Sequence, residues 1–174
     1  TGYTGSGGFE LYIPNAVAEK VWSKLFEAGA PHGIKPIGLA ARDTLRLEMG
    51  YCLYGNDITD STSPIEAGLG WITKFSKKFI NSDTLLLQKE NGISRKLVGF
   101  ELTQKGIPRN GYRINNSSAQ SIGYVTSGTM GPSVKKAIGL GYVDVDYANE
   151  NQEIFLEIRN KQISARIVNF PFYK

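Results

Sequence analysis

Over Phe9-Glu10-Leu11-Tyr12-Ile13 apolar and polar residues alternate with a period of two, and the side chains favour extended backbone. That pattern predicts a strand. Pro14 and Asn15 then signal a helix start, with Asn15 in the N-cap role. Ala18, Val21, Trp22, Leu25 and Gly29 recur at the spacing of a buried helical stripe, and the glycines at 29 and 33 end it. A second helix is predicted over residues 39–49, stopped by Gly50 as a C′ residue. A third helix is predicted within residues 79–91, capped by Ser82 or Asp83. Beyond Asn91 the period changes. Residues 96–103, 111–114, 121–127, 137–143, 153–158 and 163–168 read as short strands separated by Gly, Asn, Ser and Pro turns. This is a small barrel or sandwich pattern. The chain is therefore expected to be α+β at the front and all-β at the back, joined near residues 88–95.

The second helix carries an unusual face. At about 100° per residue, Leu39, Arg42, Asp43 and Arg46 share one arc, and apolar side chains cover most of the remainder. The helix is expected to be largely buried, with a narrow charged strip. Arg42 and Arg46 repel at i, i+4 unless carboxylates or an anionic ligand stand nearby, and Asp43 can offset Arg46. Arginine's planar fork suits carboxylates and carbonyl-bearing heterocycles, so ion pairing and ligand binding are both open. Glu48 falls inside the apolar arc. A buried carboxylate needs partners, so it is read as a satisfied structural anion.

Composition narrows the class. With 174 residues, 41% hydrophobic and 21% charged, the chain can bury a core and is neither disordered nor membrane-embedded. No apolar run is long enough to span a bilayer as a helix, and no secretory signal pattern follows the opening residue. The chain opens on Thr1 within a glycine-rich stretch, the pattern of a segment cut from a longer protein. The net charge of +4 is modest and reads mainly as solvated faces. Lys74, Lys77 and Lys78 cluster around Phe75 and Phe79, and Lys135 adjoins Lys136. No second basic–aromatic strip supports a nucleic-acid groove. Cys52 is the only cysteine, which excludes an internal disulfide and a redox pair. His32 is the only histidine and sits between Pro31 and Gly33 in an expected loop, so neither a metal cluster nor a Ser/His/Asp set is indicated.

Three stretches remain as candidates for chemistry. Thr1-Gly2-Tyr3-Thr4-Gly5-Ser6-Gly7-Gly8-Phe9-Glu10 allows close backbone approach, but it lacks the strand–loop–helix context and the Lys-Ser/Thr ending of a phosphate loop. Arg42 and Arg46 form the second. The third, Tyr54-Gly55-Asn56-Asp57 through Trp71, is turn-rich and carries aromatics.

Taken together, these stretches resemble the glycine cleavage system T-protein family, the tetrahydrofolate-dependent aminomethyltransferases. The resemblance rests on Gly-Leu-Ala-Ala-Arg42-Asp43-Thr-Leu-Arg46-Leu-Glu48, Leu-Tyr54-Gly, and Pro64-Ile-Glu66-Ala-Gly-Leu-Gly-Trp71, after the Thr-Gly-Tyr-Thr-Gly opening. Downstream, Arg95-Lys-Leu-Val-Gly-Phe-Glu-Leu, Ile107-Pro-Arg-Asn-Gly-Tyr, Ile122-Gly-Tyr-Val-Thr-Ser-Gly-Thr and Lys136-Ala-Ile-Gly-Leu-Gly-Tyr-Val are similar to its carboxy-terminal barrel. It implies an α+β fold with two parts. Residues 1–90 would close the folate-binding domain, and residues 91–174 would form an antiparallel β-barrel. It also implies that Glu10 grips the pterin ring of tetrahydrofolate, with Arg42 and Tyr3 against the folate. Ser6-Gly7 replaces the family's Glu-Asp and removes two acidic groups from that loop.

The implied reaction moves a one-carbon unit. The lipoyl-bearing H-protein presents an aminomethyl group, N5 of the folate attacks its methylene carbon, and ammonia leaves. Methylene-tetrahydrofolate and dihydrolipoyl H-protein are the products. The family's catalytic aspartate lies upstream of Thr1, so no catalytic residue is expected in this chain and the fragment is expected to be inactive alone. A monomer is expected, without nucleic acid or membrane, in bacterial cytoplasm or, for a eukaryotic source, the mitochondrial matrix. Two relatives share the fold and stand as alternatives: a folate-binding protein of iron–sulfur assembly and the folate module of demethylating dehydrogenases.

Overall fold

The computed structural model describes residues 2–174. Thr1, the first residue of the glycine-rich run, lies outside the described residues. Three helices come first: α1 (Asn15–Gly29), α2 (Leu39–Glu48) and α3 (Ser82–Asn91). Six strands follow: β1 (Arg95–Leu102), β2 (Arg113–Asn115), β3 (Ser121–Gly131), β4 (Lys136–Asp144), β5 (Glu153–Ile158) and β6 (Lys161–Val168). They close into a barrel in the order β1-β4-β3-β2-β5-β6. Every neighbouring pair is antiparallel. The expected α+β class holds, and closure settles the choice between barrel and sandwich. Closure leaves no unpaired edge for another chain to join.

Two cores flank the barrel wall. Val98, Phe100, Ile114, Val125, Val143, Ile154, Leu156 and Ile167 fill the interior. Leu47 of α2, Ala67, Leu97, Ile138, Leu140 and Tyr142 form a second core outside it. β4 serves both, and every residue between its ends is buried. Strands that are buried on both faces lose the apolar–polar alternation, which is why this strand reads as a near-continuous apolar run. Its interior glycines make room for large neighbours. A Cβ on Gly139 would stand 2.5 Å from the Phe100 ring, and one on Gly141 would stand 2.8 Å from Ile114 Cδ1.

The front segment departs from the sequence pattern in several places. Residues 9–13 are exposed and form no strand, and Phe9 is 94% exposed. A strand needs a neighbour for its N–H and C=O groups, and none lies beside this segment among the described residues. The stripe of α1 is not buried either. No residue of α1 is buried, and Trp22 and Leu25 are exposed. At its end Gly29 approaches Ile34 of the turn that follows. Pro14, with φ −60° and ψ 142°, occupies the N-cap position, so Asn15 is the first helical residue rather than the cap. The third helix begins at Ser82. Asn81, in the left-handed region at φ 67°, takes its cap position, and neither Ser82 nor Asp83 does.

Candidate functional site

α2 ends in a motif that turns the chain sharply back. The Gly50 N–H donates to Leu47 C=O at 2.9 Å, and the Tyr51 N–H donates to Arg46 C=O at 2.9 Å. This is the paired bonding of a Schellman C-cap, and Gly50 supplies its left-handed residue at φ 70°. The turn delivers residues 51–54 to Tyr3. The Tyr3 hydroxyl donates to Cys52 C=O, and its ring stacks on Tyr51 with centroids 6.0 Å apart. Arg42, one turn before Arg46, lays its guanidinium 4.5 Å above the Tyr3 ring. This is a cation–π arrangement. Burial pushes the Tyr3 phenol above its ordinary range, partly offset by the charges of Arg46 and Arg42.

Beneath this pair lies a buried ionic network. Arg46 is 1% exposed and Asp57 is fully buried. Arg46 Nη1 stands 2.6 Å from Asp57 Oδ2. The same nitrogen donates to Tyr51 C=O at 3.0 Å. Its Nε donates to Asp43 Oδ1 and its Nη2 to Ser127 Oγ, both at 2.8 Å. Nη2 also lies 2.8 Å from Asp43 Oδ1 as an ion-pair contact. Asp57 is equally engaged. It accepts from Arg46, from the Leu53 N–H at 2.8 Å, and from the hydroxyls of Thr126 and Ser127. Burial works against the charge on Arg46, but Asp57 and Asp43 more than restore it and hold its pKa up.

Two more carboxylates anchor the front segment to the barrel. Glu48 accepts the N–H groups of Ser133 at 2.7 Å and Val134 at 3.1 Å, so it is the satisfied structural anion its position suggested. Glu66 accepts the Ser63 N–H and the Arg95 Nε, each at 2.9 Å. The Ser63 hydroxyl accepts the Glu66 N–H in return, a reciprocal capping pair.

The structure therefore brings Tyr3 and Arg42 together. Glu10 stands on the exposed segment before α1, and its carboxylate accepts the Tyr12 hydroxyl at 3.3 Å. Asp57, Thr126 and Ser127 carry the site from below; the sequence places only Asp57 in a candidate stretch and assigns none of the three a role. The one available signal was Asp57 at the end of a polar loop after two arginines. Among the described residues, no group of three or more His, Cys, Asp or Glu could hold a metal ion. No helix of the described residues is long and apolar enough to cross a membrane. The basic–aromatic cluster is locally satisfied: Phe75 packs on Phe79, Lys89 covers Phe75, and Lys78 pairs with Asp83.

Comparison with known proteins agrees with this architecture. The family model described as GCVT N-terminal domain matches residues 1–77. The model described as Glycine cleavage T-protein C-terminal barrel domain matches residues 95–174. An aminomethyltransferase of Flavobacterium psychrophilum is 61% identical over 174 residues, covering 100% of this chain and 48% of the relative. One of Bacteroides thetaiotaomicron is 58% identical over 176 residues, covering 100% of this chain and 49% of the relative. The crystal structure of glycine cleavage system aminomethyltransferase T from Bartonella henselae superposes with a TM-score of 0.91 at 38% identity, covering 98% of this chain and 48% of that one. The chain spans about half the length of the curated relatives it matches. With both family models matched in order along it, the chain belongs to the glycine cleavage T-protein family.

Proposed function

We propose that the whole protein is a tetrahydrofolate-dependent aminomethyltransferase. It takes the aminomethyl carbon from lipoyl H-protein and yields methylene-tetrahydrofolate, ammonia and dihydrolipoyl H-protein. The observation that carries this reading is the Arg42–Tyr3 pair, in a chain 61% identical to an aminomethyltransferase. Among the described residues Arg42 makes no ion pair, and its exposed side chain rests on the Tyr3 ring. Glu10 is exposed and likewise carries no ion pair. An open carboxylate and an open guanidinium match the amino-pyrimidinone edge and the carbonyl or carboxylate groups of a folate.

The folate supplies the nucleophile when bound, so this chain's residues orient and hold. Tyr3 contributes a flat apolar face and spends its hydroxyl on Cys52 C=O. Arg42 contributes fixed positive charge above that face. Glu10 contributes an acceptor. By the family resemblance we read the catalytic aspartate as falling outside these 174 residues, and we expect no transferase turnover from them by themselves. We further read residues 1–90 as the end of the folate-binding domain and residues 91–174 as the barrel domain. The bacterial relatives favour a cytoplasmic setting, and the intended partner is a lipoyl H-protein met by a monomer.

Calorimetric titration of 5-formyl-tetrahydrofolate into the full-length protein tests the reading, with wild type beside Glu10→Ala and Arg42→Ala. Each variant is expected to lose about 2 kcal/mol, the scale for removing a charged hydrogen-bonding partner. Full affinity in both variants would remove these residues from the site. No binding by wild type would overturn the folate reading.

A further inference from the structure

We propose that the β-bulge at Thr126 and Ser127 in the barrel is a positioning device for the Tyr3–Arg42 pair, acting through the Arg46–Asp57 ion pair and the carbonyl of Cys52. The inference rests on the folate-site reading above and assigns roles to barrel residues outside that site.

The geometry begins with the bulge. Successive side chains on a strand point to opposite faces. Thr126 and Ser127 are consecutive on β3, yet both hydroxyls reach the Asp57 carboxylate. They can because the register slips between them: Val125 faces Gly141 and Ser127 faces Leu140, which leaves Thr126 as the extra residue. A bulge of this kind re-aims side chains and bends its strand. Here it turns two adjacent hydroxyls onto one buried ion pair.

The ion pair in turn brackets Cys52. Arg46 Nη1 binds the carbonyl before it, on Tyr51, at 3.0 Å, and Asp57 Oδ2 binds the amide after it, on Leu53, at 2.8 Å. With both flanking peptides held, the Cys52 carbonyl is fixed, and that carbonyl accepts the Tyr3 hydroxyl. Tyr3 is the surface on which Arg42 rests at 4.5 Å. The Asp57 backbone is tied to the barrel as well, because its C=O accepts the Tyr142 hydroxyl at 2.9 Å. The chain of contacts runs from β3 to the ligand-facing pair without a gap. Thr126 and Ser127 are positioning residues, since neither is among the groups offered to the folate.

The experiment uses the full-length protein with Thr126→Val, which keeps the shape and removes the hydroxyl, with Thr126→Ser as the conservative rescue, and with Ser127→Ala as a second probe. Two readouts are taken: the Kd for 5-formyl-tetrahydrofolate and amide hydrogen exchange at residues 51–53 relative to barrel residues such as Phe100. Thr126→Val is expected to weaken binding about tenfold and to speed exchange at residues 51–53 while the barrel stays protected. Ser127→Ala should act in the same direction. Thr126→Ser should restore both readouts. Adding Tyr3→Phe to Thr126→Val should cost little more than either change alone, because both act through one hydroxyl contact. Unchanged affinity in a folded Thr126→Val protein, additive effects with Tyr3→Phe, or exchange that rises equally throughout the barrel would each overturn the proposal. If wild type binds no folate, the functional reading fails by itself, and exchange at residues 51–53 still decides whether the bulge positions the loop.

Discussion

Arg95 Nε donates to Glu66 Oε1 across 2.9 Å, and this bond fastens the turn at residues 63–69 to the first residue of the barrel. The Leu97 N–H donates to Glu66 C=O at 2.8 Å beside it. Arg95 also lies 5.0 Å above the Tyr142 ring, so the ion pair caps the second core. Burial opposes the charge on Glu66, but the Arg95 bond and the Ser63 N–H outweigh it and hold the carboxyl below the usual range.

A pH dependence follows from that lowered value. A carboxylate with a depressed folded pKa contributes stability that is complete above its unfolded value, about 4.3 for Glu, and is lost as pH falls through the folded value. Glu66→Gln is expected to cost about 2 kcal/mol at pH 7. Below the folded pKa the gap between variant and wild type should close. Urea denaturation at pH 7 and through a series of pH values descending from about 4.3 checks both parts, and a gap that stays equal throughout would contradict the assignment.

The Arg46–Asp57 pair should behave as a buried pair does. Removing Asp57 leaves the buried Arg46 with only the half-exposed Asp43 as a counter-ion, and breaking a buried pair costs about 3–5 kcal/mol. Asp57→Asn is therefore expected to destabilise far more than an exposed change such as Lys24→Gln, whose partner Glu27 is solvated. The double variant Arg46→Met, Asp57→Leu should recover part of the loss, and a double-mutant cycle by denaturation measures that coupling.

Cys52 should react slowly. Burial, reinforced by the charge of Asp57, pushes its thiol up to about 11, against the opposing pull of Arg46. At pH 8 that leaves about one thiol in a thousand as thiolate, the reactive form. Alkylation by iodoacetamide is expected to quicken about tenfold for each pH unit from 8 to 10. It should also quicken in Asp57→Asn. A rate already at its plateau at pH 8 would contradict the burial of this thiol.

Glycine substitutions should separate barrel closure from loop tolerance. A Cβ on Gly123 would lie 1.9 Å from Tyr142 C=O, a backbone atom of the neighbouring strand. Gly123→Ala is expected to cost about 3 kcal/mol or more, because two paired strands must part. A Cβ on Gly7 meets nothing within 4 Å, so Gly7→Ala should be neutral or slightly stabilising. Thermal unfolding of the two variants side by side checks the contrast.

Much of this architecture is a local property of the chain. All six barrel strands fell where short β-rich runs met Gly, Asn, Ser and Pro turns, because turn chemistry and side-chain period act within a few residues. Helix α2 and its stop at Gly50 followed for the same reason, and so did the Asp43–Arg46 contact at i, i+3. Glu48 was legible as a carboxylate in an apolar arc that had to find donors. What the pattern could not decide is what each face meets. Residues 9–13 and the stripe of α1 have the periodicity of buried elements, yet they are exposed, because burial depends on a neighbour and not on a period. The same holds for the site. Arg46 meets Ser127 across 81 positions of sequence, and Thr126 meets Asp57 across 69. Closure of the barrel and the slip at the bulge create those contacts. Local chemistry along the chain set the three helices, the six strands and the charges that need partners; barrel closure chose those partners, since long-range pairing is a property of the closed sheet and not of any local run.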